Sequence, residues 1–243
     1  FVFSTLQIKV CRTADHYDAA RVEKMGSLIR KNSPFQSVTS LFFYVLIMDI
    51  RGLMDSSKLA NPGPLGLMGF GMTTVYLNLH NAGFFPLNAA IFSMGIFFGG
   101  LAQILAGLME YKKGNTFGLT AFTAYGCFWL SLVGILLLPR LGLAEPADDT
   151  ALGIWLALWG VFTLFMFFGT LRANRALQFV FASLTLLFAL LAIGHIAGNH
   201  AVITLAGYEG ILCGASAIYL AMAEVINAQL GRKALPVGEM NKA

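Results

Sequence analysis

The sequence predicts an all-α integral membrane protein in which six transmembrane helices surround a narrow path and both termini lie in the cytoplasm. Composition is the first reason: of 243 residues 57% are apolar and only 12% charged, against roughly 45–50% and about 25% in soluble domains. So few polar side chains cannot cover a soluble globule of this size, and a mean hydropathy of +0.72 excludes a disordered chain. The second reason is a series of apolar runs from Asn61 onward, each near the ~20 residues that cross a bilayer core. The third is the way lysine and arginine alternate between successive loops.

The runs cover residues 64–79, 89–109, 116–138, 151–171, 177–197 and 201–227. They are continuous rather than alternating, which excludes a β-barrel. Span one is short and glycine-rich and opens on Asn61-Pro62-Gly63-Pro64-Leu65-Gly66-Leu67. Asparagine is a good helix N-cap, and proline suits a first turn whose N–H groups lack intrahelical partners. The N–H groups left free there, at the positive end of the helix dipole, favour a nearby anion. Span two carries Gly95 and Gly99, span six a stripe of Gly210, Gly214, Ala217 and Ala221, and span one Gly66 and Gly69 in line with Thr73. Such faces let helices approach closely in lipid. Phe162, Phe165, Phe167 and Phe168 crowd several faces of span four, as expected of a lipid- or partner-facing helix, while Trp155, Tyr111 and Tyr208 read as interfacial aromatics. Span six is expected to begin after a frayed turn.

Fifteen of the 16 basic residues fall on one side of this arrangement, and Arg140 stands alone on the other among Glu145, Asp148 and Asp149. Even with residues 1–53 removed the bias is eight to one, which puts an even number of spans between two cytoplasmic termini. The net charge of +4 thus reflects topology, and no nucleic-acid partner is expected. Residues 1–53 differ in character: mixed charge, no run long enough to span, and no cleavage site after the apolar stretch 41–48. They are expected to be a dispensable or artefactual extension, and residues 54–243 the six-helix domain. Cys11, Cys127 and Cys213 form neither a disulfide framework nor a metal spacing and read as small core residues. No cofactor or metal motif and no activated nucleophile beside a base is present, so an enzyme is not expected.

Three segments, NPGPLGLMGFGMTT, EYKKGNTFGLTAFTAYG and WGVFTLFMFFGTL, resemble the acetate uptake transporter family, specifically its bacterial succinate–acetate permeases. The similarity covers residues 54–239, and Gly63 stands where the family usually has alanine. The resemblance implies a hexamer of six-helix protomers in the bacterial cytoplasmic membrane, each with its own substrate path. It further implies uptake of acetate and succinate coupled to protons. It also implies an apolar constriction of Phe70, Tyr125 and Leu184. Physically, Phe70 and Leu184 would exclude water and hydrated ions, and the Tyr125 hydroxyl could donate to a carboxylate.

The helix start formed by Asn61, Pro62, Pro64, Leu65, Gly66 and Leu67 is expected to shape a vestibule and offer backbone donors. Thr73, Thr120, Thr123, Gln178 and Thr185 are candidate polar lining, since hydroxyls hold a carboxylate without trapping it as a buried cation would. Glu209 is expected to be exposed near the outer mouth, and His80, His195 and His200 to be ordinary outer-face histidines. Two other readings compete: a channel for a small neutral solute such as urea, and a membrane scaffold or sensor without transport.

Overall fold

The computed structural model describes residues 59–240; the expected extension 1–53 and Cys11 lie outside them. The helices are α1 (Gly63–Asn81), α2 (Ala89–Lys112), α3 (Thr116–Leu137), α4 (Asp149–Gly169), α5 (Arg175–Ile196) and α6 (His200–Leu230). Asparagine or aspartate starts five of them. Asn88, Asn115, Asp148, Asn174 and Asn199 each accept a hydrogen bond from a first-turn N–H, which satisfies a donor the helix itself leaves orphaned. Asp148 starts α4 two residues before the expected 151, and Asn199 starts α6 at His200 with no frayed turn before it.

Five helices, α2 to α6, are long and apolar enough to cross a membrane. At 19 residues α1 is long enough but not apolar enough. The reason is its position: it buries Gly66, Gly69, Gly71, Thr73, Thr74 and Asn78 among other helices. Its most extensive partner is α6, while α4 packs on α5 and α5 on α6. Glycine makes the α1–α6 approach possible. A Cβ on Gly214 would sit 2.7 Å from the Gly71 carbonyl oxygen, and one on Gly71 would sit 2.8 Å from that of Gly214. In lipid such backbone proximity replaces the hydrophobic effect as the source of helix association.

The middle of α2, Met94–Ala102, winds in wide π-helical turns. This bulge presents Gly95, Gly99 and Gly100 to the Val133, Trp129 and Leu130 side chains of α3, and such bulges often occur near functional sites. The core is aromatic: Phe128 stacks on Trp155 at 5.0 Å and meets Trp159 and Phe188 edge-on. Trp155 thus packs between α3 and α4. Tyr111 and Tyr208 are exposed near helix ends, and α4 turns Leu158, Phe165 and Phe168 outward. Phe162 and Phe167 instead pack against the core. Cys213 is buried and Cys127 exposed, so only one of the two described cysteines is a core residue.

After α6, Gly231 takes a left-handed conformation (φ 60°) that turns the chain back. Asn227 then grips it, its Oδ1 accepting from Ala234 N and Leu235 N and its Nδ2 donating to the Leu235 carbonyl. The returned strand of backbone caps α5: the Arg175 and Ala176 N–H groups donate to the carbonyls of Gly238 and Val237.

Candidate functional site

Between α1, α2, α3, α5 and α6 lies a cavity of about 160 Å³. Its deep wall includes Phe70, Tyr125 and Leu184, and these three also line a second cavity of about 30 Å³ on the far side, toward Thr74, Asn78 and Trp129. All three are almost wholly buried, and the Phe70 and Tyr125 rings lie 6.1 Å apart. The tertiary structure thus gathers residues separated by 55 and 59 positions in sequence onto the partition between two cavities. Phe70 follows from the α1 face that also carries Leu67, and Leu184 from the buried face of α5 with Val180 and Phe181.

The Tyr125 hydroxyl is not free for a ligand. It lies 2.9 Å from Thr163 Oγ1, which in turn donates to the Trp159 carbonyl at 2.7 Å. Threonine has one hydroxyl proton, and it is spent on Trp159; Tyr125 must therefore be the donor in the pair. The expectation that this hydroxyl meets a carboxylate gives way to a structural role that fixes the ring. Thr163→Val leaves the tyrosine hydroxyl without a partner and is expected to destabilise the protein by about 1–3 kcal/mol. Adding Tyr125→Phe should restore most of that loss, because both partners are then apolar. Thermal unfolding of the two single variants and the double variant in detergent checks it.

At the helix start, Asn61, Gly63 and Leu67 line the larger cavity. Leu65 is exposed, and Gly66 packs under Phe122, a Cβ there falling 2.4 Å from the ring. The expected backbone donors are already used. Gly63 N–H donates to Asn61 Oδ1, Leu65 and Gly66 both donate to the Pro62 carbonyl, and Pro62 and Pro64 have no N–H to offer. Two prolines in one turn consume the donors rather than exposing them, so what remains of this segment for a ligand is side chain.

None of the five candidate lining groups is on the walls of these two cavities. Thr185 back-bonds to the Phe181 carbonyl, the bond that makes a lone helical hydroxyl a poor predictor of lining. Thr123 faces Gly107 of α2, Thr120 is exposed, and Thr73 points to the Met94 carbonyl in the π-helical turn. Gln178 bonds the carbonyls ending α4 and the Met240 sulfur. The polar wall is made instead by Gln103, Glu110, Asn115 and Glu224 together with Asn61. Asn61 Nδ2 donates to Glu224 Oε2 at 2.9 Å, and Asn115 Nδ2 donates to Glu110 Oε2 at 2.8 Å. The sequence signal for the second pair was the Glu-(x)4-Asn spacing in EYKKGN, which reads as a loop until the helix start at Thr116 gives the asparagine a capping role.

Glu209 is half-buried, with Oε2 shielded and unpartnered, not exposed as expected. His195 Nδ1 lies 3.0 Å from Asp149 Oδ1, pairing the ends of α5 and α4, and His80 bonds the Phe85 carbonyl.

Residues 52–242 match the model of the GPR1/FUN34/yaaH family. The chain is 69% identical over 186 residues to the succinate-acetate/proton symporter SatP of Escherichia coli K12, an alignment covering 76% of this chain and 99% of that one. It is 35% identical to acetate permease A of Emericella nidulans over 201 residues, 76% of this chain and 67% of that protein. Among solved structures, that of the bacterial acetate channel SatP superposes with a TM-score of 0.74 at 70% identity, covering 74% of this chain and all of the other.

Proposed function

The chain belongs to the GPR1/FUN34/yaaH family, and from that premise we propose that it is a permease for short-chain carboxylates, taking up acetate and succinate with protons. In this reading each protomer of a homohexamer holds its own path, and six helices span the bacterial cytoplasmic membrane with both termini inside. Phe70, Tyr125 and Leu184 form the constriction. The single observation that carries the reading is the partition: these three side chains lie between a larger cavity with a polar wall and a small, mostly apolar one. An apolar partition of this kind rejects hydrated ions, because their shell has no replacement there. The names of the similar proteins, a succinate-acetate/proton symporter and an acetate channel, supply the substrate class. The lysines and arginines at the ends near the larger cavity, Lys112, Lys113, Arg172 and Arg175, support a cytoplasmic position for that cavity in this reading.

Labelled acetate uptake into proteoliposomes tests the reading against protein-free liposomes, which set the leak of acetic acid through lipid. Uptake above that leak, raised by an inward proton gradient and competed by succinate, is the expected result. Acetate flux no greater than the leak, with urea passing freely, overturns it in favour of a neutral-solute channel.

A further inference from the structure

The two asparagine–glutamate pairs of the larger cavity are built alike. Asn61 and Asn115 each use Oδ1 to accept a helix-start N–H, from Gly63 and Gly118. That bond fixes the amide orientation, so Nδ2 is the end presented to the carboxylate. Each carboxylate therefore receives its amide bond on Oε2, and a proton it carries sits on Oε1. Neither Glu110 nor Glu224 has a salt-bridge partner among the described residues, although Glu110 is only 2% exposed. One neighbour points to a ligand. Gln103 lines the same cavity, is 1% exposed, and its Oε1 is buried without a hydrogen-bond partner. A primary amide with a spare acceptor and donor is complementary to a carboxyl group that carries a proton.

We propose that this cavity takes up a carboxylate and a proton together, with Glu110 and Glu224 holding the proton at Oε1 and Gln103 receiving the substrate carboxyl. The inference deepens the carboxylate-permease reading and rests on it for the identity of the substrate. The physical argument is one of charge. With both glutamates ionised, an entering anion meets two like charges and no paired cation, the charge on Glu110 in buried surroundings that screen poorly. A proton from the adjoining water, placed on either glutamate, removes one of those charges. It also supplies an O–H donor shared between the glutamate and the substrate oxygen, a charge-assisted bond of the stronger class. No covalent bond changes, and the proton leaves with the substrate or returns to water. The titratable groups lining the cavity are Glu110 from α2, Glu224 from α6 and Tyr125 from α3, whose hydroxyl is engaged by Thr163. Lys113, the residue that follows α2, is the charged side chain next in sequence to that helix's end and does not line the cavity. From α1 the wall is Asn61, Gly63, Leu67 and Phe70, and from α5 it is Leu177, Val180, Phe181 and Leu184, none of which titrates.

The test is the ratio of acetate uptake rates at roughly pH 6 and roughly pH 8 in proteoliposomes, corrected for leak, for wild type and Glu110→Gln/Glu224→Gln. Wild type is expected to favour the acid condition by about tenfold, and the double variant to raise its alkaline rate until the ratio is about one. A purely structural role would lower both rates and leave the ratio alone. An unchanged ratio in an active double variant overturns the proposal. A second measurement on wild type decides the matter if the double variant does not fold. Acetate is added to purified protein in weakly buffered detergent near neutral pH while free protons are followed with a dye. Proton consumption that saturates with acetate supports the proposal, and acetate binding without it overturns the proposal. Wild-type acetate flux equal to the leak would sink the permease reading, leaving the proton count to judge the cavity separately.

Discussion

Leu184→Ala is expected to raise acetate flux on the order of tenfold, the equivalent of about 1.4 kcal/mol off the barrier, and to raise the flux of larger carboxylates by more than that. Leu184 is 3% exposed and borders both cavities, so truncating it removes part of the wall that separates them. The loss of an apolar constriction eases wetting, and with it the passage of a hydrated anion. The stability cost should fall near the lower end of the ~2–5 kcal/mol of closed cores, since the side chain already abuts empty space. Proteoliposome uptake of acetate, succinate and a bulkier monocarboxylate measures both effects. Unchanged rate and selectivity in a folded Leu184→Ala protein would mean that this trio is ordinary core, and would revive the scaffold reading.

Gly214→Ala is expected to cost about 1–3 kcal/mol, occasionally more, through one added methyl. Its Cβ would lie 2.7 Å from the Gly71 carbonyl and 2.8 Å from Val75 Cγ2. A backbone carbonyl in a long helix cannot step aside as a flexible side chain would, so α1 and α6 must separate. The same separation draws Asn61 of the α1 start from Glu224 of α6, now 2.9 Å apart, so the variant should lose transport as well as stability. Gly134→Ala is the matched comparison: nothing lies within 4 Å of its Cβ, and the gain in helix propensity should leave it unchanged or up to about 1 kcal/mol more stable. Thermal unfolding of both in one detergent separates the outcomes; equal midpoints would mean that α1 and α6 have room to yield.

Much of the architecture was legible because lipid imposes simple rules. A span must be long and apolar, and its flanking charges sort by side, so six runs and their loops could be read directly. Helix ends were legible only in part. The Asn-Pro start of α1 was visible, and α2 and α3 begin where the apolar runs put them, but asparagine or aspartate capping starts α4, α5 and α6 one or two residues earlier than those runs. The π-helical turn in α2 left no mark that residue spacing alone reveals, since Gly95 and Gly99 fit an α-helical stripe equally well.

For the site the division is sharper. Phe70, Tyr125 and Leu184 could be named only through the resemblance to a family, because each sits in a segment that matches it. The sequence could not say that Tyr125 spends its hydroxyl on Thr163, or that Thr185 turns back to its own helix. Nor could it find Gln103, Glu110 and Asn115 as one polar wall with Asn61 and Glu224. Composition and span pattern are one-dimensional quantities, and by themselves they determined the helical membrane class; the apolar trio came only with the resemblance to a known family. Which donors remain free, and which carboxylates share a cavity, depends on contacts between residues as far apart as Asn61 and Glu224. Only the packing of α1 against α6 and the capping of α3 decide those, because a hydrogen-bonding group is available to a ligand only when the fold has not already satisfied it.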